Sequence, residues 1–172
     1  SSAASDVYKR QLYTSPHIQK INERFVFNNQ ELNDEELADL LEEVEKVNNN
    51  EPITVFEMLS ACFFYKAARY PDNINLVESG LFHRFDATNI LKLPKFAAIT
   101  PISLDHQDFL GNSLNKIAFE KLGILNKRSV NFINRQKPSV IKFINSELNR
   151  RKLKAEFFGD DWSIRSNNYQ SN

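Results

Sequence analysis

Three short apolar runs, separated by helical patterns, most constrain the fold of this chain. The runs are residues 74–77, 96–102 and 130–133, and they contain the aliphatic and aromatic residues that favour strands. Apolar residues at helical spacing predict one helix over about residues 113–122 and another over 139–152. Strands that alternate with helices favour a mostly parallel sheet with helices on both faces. We therefore predict an α/β fold.

The first half of the chain carries one strand signal and two helix starts. Residues 25–27 are apolar and precede two asparagines, which tolerate the left-handed backbone of tight turns. Asn33, followed by acidic residues, predicts the start of a helix that ends at residues 48–50. The apolar residues of this helix are Leu37, Leu40, Leu41, Val44 and Val47. Thr54 with Glu57 three residues later predicts a second helix, which is apolar enough to pack against the sheet.

Charge and cysteine content exclude several classes of protein. The 22 basic residues balance the 22 acidic ones, so no whole-chain field attracts nucleic acid or an anionic membrane. No apolar stretch reaches the length of a membrane span, and no signal peptide opens the chain. The single cysteine, Cys62, rules out an internal disulfide framework and is typical of a buried small hydrophobe. We predict a cytoplasmic protein without nucleic-acid or membrane partners.

Acidic and histidine side chains follow two of the predicted strands. Glu78 ends the first apolar run, with residues 86–89 (DATN) one loop further on, and Asp105 and His106 follow the second run. Such groups at the carboxyl ends of strands suit a divalent cation or a phosphate. Each motif also has a simpler interpretation: residues 86–89 as a turn cap, Asp105 with His106 as a surface pair, and Lys121 as a cation at a helix end. The residues alone predict an α/β domain that handles magnesium or phosphate.

Six runs occur together in an order that makes a family resemblance specific. The runs are residues 14–17 (TSPH, followed by NERF at 22–25), 54–57 (TVFE), 76–81 (LVESGL), 84–89 (RFDATN), 104–111 (LDHQDFLG) and 117–124 (IAFEKLGI). In this order they resemble the folylpolyglutamate and dihydrofolate synthases, a branch of the Mur ligase superfamily. The resemblance covers about residues 12–125.

This resemblance implies a Mg²⁺-dependent ligase that uses ATP to join L-glutamate to dihydropteroate or a folate through an acyl phosphate. It also implies roles for single residues. The magnesium ligands would be Ser15, Glu78 and His106, and Lys121 would be a carbamylated lysine that acts in catalysis with His106. The pterin would contact Thr54, Phe56, Asp86 and Ala87, which supply an aromatic face and a carboxylate. The family is mostly monomeric, so a monomer is expected.

The chain departs from the family pattern in two places. Phe82 and His83 stand where the family usually has two glycines, beside the predicted metal-binding Glu78. No glycine-rich phosphate loop is present in residues 1–11, which resemble a translated adaptor sequence and are predicted not to be native. Residues 12–162 then form part of the central Mur ligase domain, residues 163–172 form a polar end, and the glutamate-binding domain would follow. The isolated chain is therefore predicted to be inactive.

Two further functions are compatible with the residues. Another Mur-type ligase, acting on a cell-wall precursor or a different acidic polymer, would share the roles of Glu78 and His106. It would not be expected to carry TSPH or DATN. A non-catalytic binding module of the same fold would be compatible with Phe82 and His83.

Overall fold

The computed structural model describes residues 10–80, 86–91, 93–104 and 113–164. The chain divides into two compact units. Among the described residues, the first unit holds 10–80 and 86–90, and the second holds 91, 93–104 and 113–164. Each unit combines helices with a sheet that contains at least one parallel strand pair. The predicted α/β class is confirmed.

The sheet of the first unit contains strands β1 (Arg10–Tyr13), β2 (Phe25–Phe27), β3 (Gln30–Glu31) and β4 (Ile74–Val77). Their spatial order is β3-β2-β1-β4. β1 pairs antiparallel with β2 and parallel with β4, so that Tyr13 lies opposite both Phe25 and Val77. The chain turns from β2 to β3 through Asn28 and Asn29, whose φ angles of 52° and 67° are left-handed, as the sequence predicts.

Strand β1 differs from the sequence prediction, which left residues 1–11 out of the fold. Arg10 and Gln11 form the first half of β1, and Gln11 is fully buried. The first two residues of β1 are polar, so Leu12 and Tyr13 form too short an apolar run to be recognised as a strand by themselves. Its position is decided by pairing with β2 and β4, which is a tertiary effect.

The two helices of the first unit, α1 (Asp34–Asn48) and α2 (Val55–Ala67), begin where the capping residues predict. The side chain of Asn33 accepts a hydrogen bond from the backbone N–H of Glu36, and that of Thr54 accepts one from Glu57. α1 ends at Asn48, as predicted. One residue of its apolar pattern, Val47, lies outside the core because it is 75% exposed.

The core of the first unit is aromatic and lies between the sheet and α2. Tyr13 of β1 stacks on Phe63 of α2, with the ring centroids 5.1 Å apart, and Phe27 of β2 lies 5.4 Å from the same ring. The Tyr13 hydroxyl lies 3.1 Å from the Ser60 hydroxyl, and burial raises the pKa of Tyr13. The prediction that α2 packs against a sheet is confirmed.

The second unit has a parallel sheet of β5 (Phe96–Ile99), β6 (Val130–Ile133) and β7 (Glu156–Phe157), in that spatial order. Its helices are α3 (Leu114–Lys121) and α4 (Pro138–Arg151). β5 is three residues shorter than the predicted run of 96–102, because Pro101 has no N–H to continue the ladder. The fully buried core side chains include Ile117, Leu122, Ile133, Val140 and Ile144.

Helix α1 is the longest helix among the described residues, and its 15 residues are fewer than the about 20 that are needed to cross a bilayer. Within residues 10–80, 86–91, 93–104 and 113–164, no helix is both long enough and apolar enough to span a membrane.

Candidate active site

The carboxyl ends of β1 and β4 bring two of the predicted metal ligands together. Because these strands are parallel and in register, the segment after Tyr13 and the segment after Val77 leave the sheet side by side. The Glu78 N–H donates to the Tyr13 carbonyl at 2.9 Å, which extends the ladder by one bond. The Ser15 N–H then donates to Oε2 of Glu78 at 3.0 Å. The sheet thus holds Ser15 against the carboxylate of Glu78.

This donor set suits a magnesium ion. Glu78 is exposed and Ser15 is partly buried, so a cation could reach them from solvent. A hydroxyl and a carboxylate are hard oxygen ligands, and Mg²⁺ takes such ligands while keeping several of its waters. The described residues contain no group of three or more histidine, cysteine, aspartate or glutamate side chains that could hold a metal. The third predicted ligand, His106, lies outside those residues.

The loop that carries Ser15 is fixed by Glu23 and Arg24, which precede β2. The Glu23 carboxylate accepts hydrogen bonds from three successive backbone N–H groups, those of residues 18, 19 and 20, each at 2.8 Å. These bonds hold the pKa of Glu23 below its usual value. Nε of Arg24 donates to Nδ1 of His17 at 3.0 Å. Sequence reasoning assigned no role to Glu23, although a glutamate at the third position of a short helical turn is a recognisable capping signal.

Two of the predicted pterin-contacting residues meet at Gly80, two positions after Glu78. A Cβ placed on Gly80 would lie 2.6 Å from Oδ2 of Asp86 and 2.7 Å from Cζ of Phe56. Only a glycine allows these side chains to approach the backbone so closely. Phe56 is partly buried, and its ring centroid lies 6.2 Å from that of Tyr13. The aromatic face and the carboxylate implied by the resemblance are therefore adjacent.

The orientation of Asp86 is set by its own turn. Oδ1 of Asp86 accepts hydrogen bonds from the N–H and the hydroxyl of Thr88, at 2.9 and 2.5 Å. Thr88 is buried and its hydroxyl also lies 3.5 Å from that of Ser79. Asp86 directly precedes a 3-10 turn, Ala87–Ile90, of which Ala87 is the first residue. The simpler interpretation of this motif as a turn cap is confirmed, and the pterin-binding interpretation remains a prediction for Asp86 and Ala87.

Thr54 performs a structural task at the start of the same helix as Phe56. Its hydroxyl accepts from the Glu57 N–H at 3.2 Å and donates to Oε2 of Glu57 at 2.6 Å. The Thr54 N–H donates to the same oxygen at 2.8 Å. These bonds lower the pKa of Glu57. Thr54 is exposed, and its predicted contact with a pterin remains untested.

Lys121 belongs to the second unit and is the last residue of α3. A cation there complements the carbonyl end of the helix, so this simpler interpretation is compatible with the structure. The following turn is held by Arg151 of α4, whose guanidinium donates to the carbonyls of Leu122 and Leu125 at 2.6 and 2.8 Å. Burial lowers the pKa of Arg151. Sequence reasoning missed this clamp, because it joins residues 26 and 29 positions apart without a local motif.

The sequence also singles out Cys62, Phe82 and His83. Cys62 is fully buried, and burial raises the pKa of its thiol to about 11, which confirms its interpretation as a core residue. Phe82 and His83, which replace the glycine pair of the family, lie outside the described residues.

No protein-family model matches the chain. The chain is 42% identical over 115 residues to a dihydrofolate synthase/folylpolyglutamate synthase of Haemophilus influenzae, an alignment that covers 66% of the chain and 25% of the relative. It is 35% identical over 152 residues to a probable dihydrofolate synthetase of Schizosaccharomyces pombe, covering 84% of the chain and 34% of the relative. The chain thus spans about a quarter to a third of the length of these relatives.

Solved structures of proteins in this group are also similar to the chain in fold. Escherichia coli FolC in complex with DHPP and ADP matches 96% of the chain with a TM-score of 0.78 and 28% identity, and the chain covers 39% of that protein. Mycobacterium tuberculosis folylpolyglutamate synthase complexed with ADP and AMPPCP matches 95% of the chain with a TM-score of 0.80 and 27% identity. The chain covers 40% of that second structure.

Proposed function

Because this chain belongs to the family of dihydrofolate and folylpolyglutamate synthases, we propose that the whole protein is a carbon–nitrogen ligase that uses ATP to join L-glutamate to dihydropteroate or a folate. The observation that carries the proposal is the arrangement of side chains at the carboxyl ends of β1 and β4 in the first sheet. There Ser15 and Glu78 meet, and Phe56 and Asp86 converge on Gly80 two residues later. The side chains that suit a cation and those that suit a pterin therefore converge on residues 78–80, which directly follow β4.

The proposed reaction proceeds in two steps. The carboxylate of the pterin substrate attacks the γ-phosphorus of ATP, which forms an acyl phosphate and releases ADP. The amine of glutamate then attacks the acyl carbon, an amide bond forms and inorganic phosphate leaves. The protein contributes mainly by positioning the reactants and stabilising charge.

Each described site residue has a proposed part in this reaction. Glu78 and Ser15, with His106, would hold Mg²⁺, which neutralises the charge on the phosphate oxygens. Phe56 offers its ring face to the pterin, and the Asp86 carboxylate accepts hydrogen bonds from the amino-pyrimidine edge. Ala87 and Thr54 would border the same ring. Lys121, once carbamylated, would supply an additional anionic group.

The test uses the complete enzyme and measures ADP release that depends on both dihydropteroate and glutamate. Glu78→Gln should lower kcat by at least about tenfold and raise the Mg²⁺ concentration that gives half-maximal rate. Phe56→Ala should raise KM for the pterin more than it lowers kcat, since it removes binding surface. Glu36→Gln, a capping residue of α1, serves as the matched control and should leave both values unchanged.

Glutamate-dependent turnover by the unchanged complete protein separates the ligase from a binding module without catalysis, because a binding module should show none. Loss of turnover in His106→Ala supports a role for His106 in the reaction, whereas unchanged turnover in this variant and in Glu78→Gln contradicts the roles proposed for both residues. The 172-residue chain alone should show no ATP turnover, since it carries no glycine-rich phosphate loop.

A further inference from the structure

The loop between β1 and the 3-10 turn Ile21–Arg24 has almost no packing to hold it. Residues 16–20 are all exposed, and Ile18, an apolar residue, is 91% exposed. Burial therefore contributes little to the order of this loop, and hydrogen bonds must supply most of it. Ser15, at the start of the loop, is one of the two residues that meet at the edge of the sheet.

Both ends of the loop are tied to the same dipeptide. At the start, the Thr14 N–H donates to the Arg24 carbonyl at 3.2 Å and the Thr14 hydroxyl to the Glu23 carbonyl at 3.4 Å. At the end, the Glu23 carboxylate accepts three backbone N–H groups. In the middle, Arg24 donates to His17. Ser15 lies between these ties.

The negative charge of Glu23 matters for the bonds at the end of the loop. Oε1 accepts from Gln19 and Lys20, and Oε2 accepts from Ile18, so both oxygens are engaged. Hydrogen bonds to an ionised acceptor are roughly twice as strong as neutral ones. An amide at this position would offer one acceptor oxygen and turn an N–H₂ group towards a backbone donor.

We propose that Glu23 is a positioning residue for the cation site: by holding residues 18–20 it keeps Ser15 against Glu78. This role rests on the proposed function, because it presumes that Ser15 and Glu78 bind Mg²⁺. Glu23 itself touches neither the cation nor the substrate in this scheme. It acts through the backbone of the loop.

The experiment compares Glu23→Ala and Glu23→Gln with the unchanged chain. Glu36→Gln is the matched control, because Glu36 also accepts a backbone N–H, that of Asn33 at 3.0 Å, but in α1. Amide hydrogen exchange reports on the order of the loop, and NMR titration with Mg²⁺ reports on binding through the amide shifts of Ser15 and Glu78. Circular dichroism establishes that each variant is folded.

Glu23→Ala should speed exchange at the amides of residues 18–20 and at Ser15 by at least about tenfold, as expected when a hydrogen bond to a charged group is lost. It should also weaken Mg²⁺ binding at least about fivefold, with Glu23→Gln in between because one acceptor oxygen remains. The amides of β4 should keep the exchange rates of the unchanged chain in the Glu23 variants. In Glu36→Gln the amides of Ser15 and of residues 18–20 should keep those rates, although the Asn33 amide loses its charged acceptor.

Two different results would overturn the two proposals separately. If the Ser15 amide and Mg²⁺ affinity stay unchanged while residues 18–20 exchange freely, Glu23 orders only its own turn and has no positioning role. If Mg²⁺ shifts neither Ser15 nor Glu78 in the unchanged chain, the proposed cation site fails, and with it the role assigned to Glu23.

Discussion

Gly80→Ala tests whether the close packing at the candidate pterin site is as tight as the structure shows. The added Cβ would lie 2.7 Å from Cζ of Phe56 and 2.6 Å from Oδ2 of Asp86. Carbon atoms in contact prefer a separation of about 3.5 Å or more, so the ring would have to move by roughly 0.8 Å. Neither neighbour is a freely moving chain end, because the Asp86 carboxylate is held by Thr88 and Phe56 packs beside Tyr13.

The expected cost follows from two opposing effects. Overpacking of this kind costs about 1–3 kcal/mol. Replacing glycine also restricts the unfolded chain, which stabilises the folded state by about 0.4–1 kcal/mol where the backbone angles allow a side chain. The free energy of unfolding should therefore fall by about 1–2 kcal/mol, measured by urea denaturation followed by circular dichroism. In the complete enzyme, KM for the pterin should rise because Phe56 and Asp86 are displaced.

A double-mutant cycle makes the test specific. Phe56→Leu shortens the side chain that meets the new methyl group, so the double variant should be more stable than the sum of the two single effects predicts. Gly159→Ala is the control: Gly159 has a φ of 97° and no atom within 4 Å of its Cβ position, so its cost is backbone strain alone. It should show no coupling to Phe56→Leu. Additive behaviour at Gly80, or a stabilised Gly80→Ala variant, would refute the close approach.

Three further changes test other parts of the structure by urea unfolding. Gln11 is fully buried, and within the described residues its amide nitrogen and oxygen have no hydrogen-bond partner. Burial of an unpaired polar group costs free energy, so Gln11→Leu should raise the free energy of unfolding by about 1–3 kcal/mol. A decrease in the free energy of unfolding would contradict this prediction. Arg151→Met removes two hydrogen bonds to the turn that follows α3 and should lower the free energy of unfolding by about 2–3 kcal/mol. No loss of stability would show that the clamp is dispensable. Hydrogen bonds from Thr54 lower the pKa of Glu57 below 4.5, so the stability they add is present above that pH and is lost as the pH falls through the folded pKa. In Glu57→Gln the free energy of unfolding should therefore fall less steeply between about pH 5 and about pH 3 than in the unchanged chain. An equally steep fall in the variant would show that other carboxylates cause the loss of stability.

The elements with a local signal were predictable from the sequence. The caps at Asn33 and Thr54 and the strands over residues 25–27, 74–77 and 130–133 are confirmed, because the bonds or periodicity that define them lie within a few residues. β1 was not predicted, since its residues gain their order from strands that are distant in the sequence.

The candidate site divides in the same way. Glu78 could be singled out from its place at a strand end, and the family resemblance brought in Ser15, Phe56 and Lys121. The clamp by Glu23 escaped both approaches. Its capping position predicts only the bond from the Lys20 N–H, whereas the bonds from the N–H groups of Ile18 and Gln19 do not depend on the identity of those residues. The approach of Phe56 and Asp86 to Gly80 likewise depends on backbone distance rather than on residue type.

The hydrogen bond between Ser15 and Glu78 joins residues 63 positions apart. Between them lie β2, β3 and the α1–α2 pair, all of which form contacts at shorter sequence separation. Since contacts that close long loops tend to form after local ones, β1 and β4 should come together late in the folding of the first unit. A chain that has not completed this step lacks the contact between Ser15 and Glu78. Occupancy of the proposed cation site would therefore report that the whole first unit has folded, and a bound ion would stabilise only that final state.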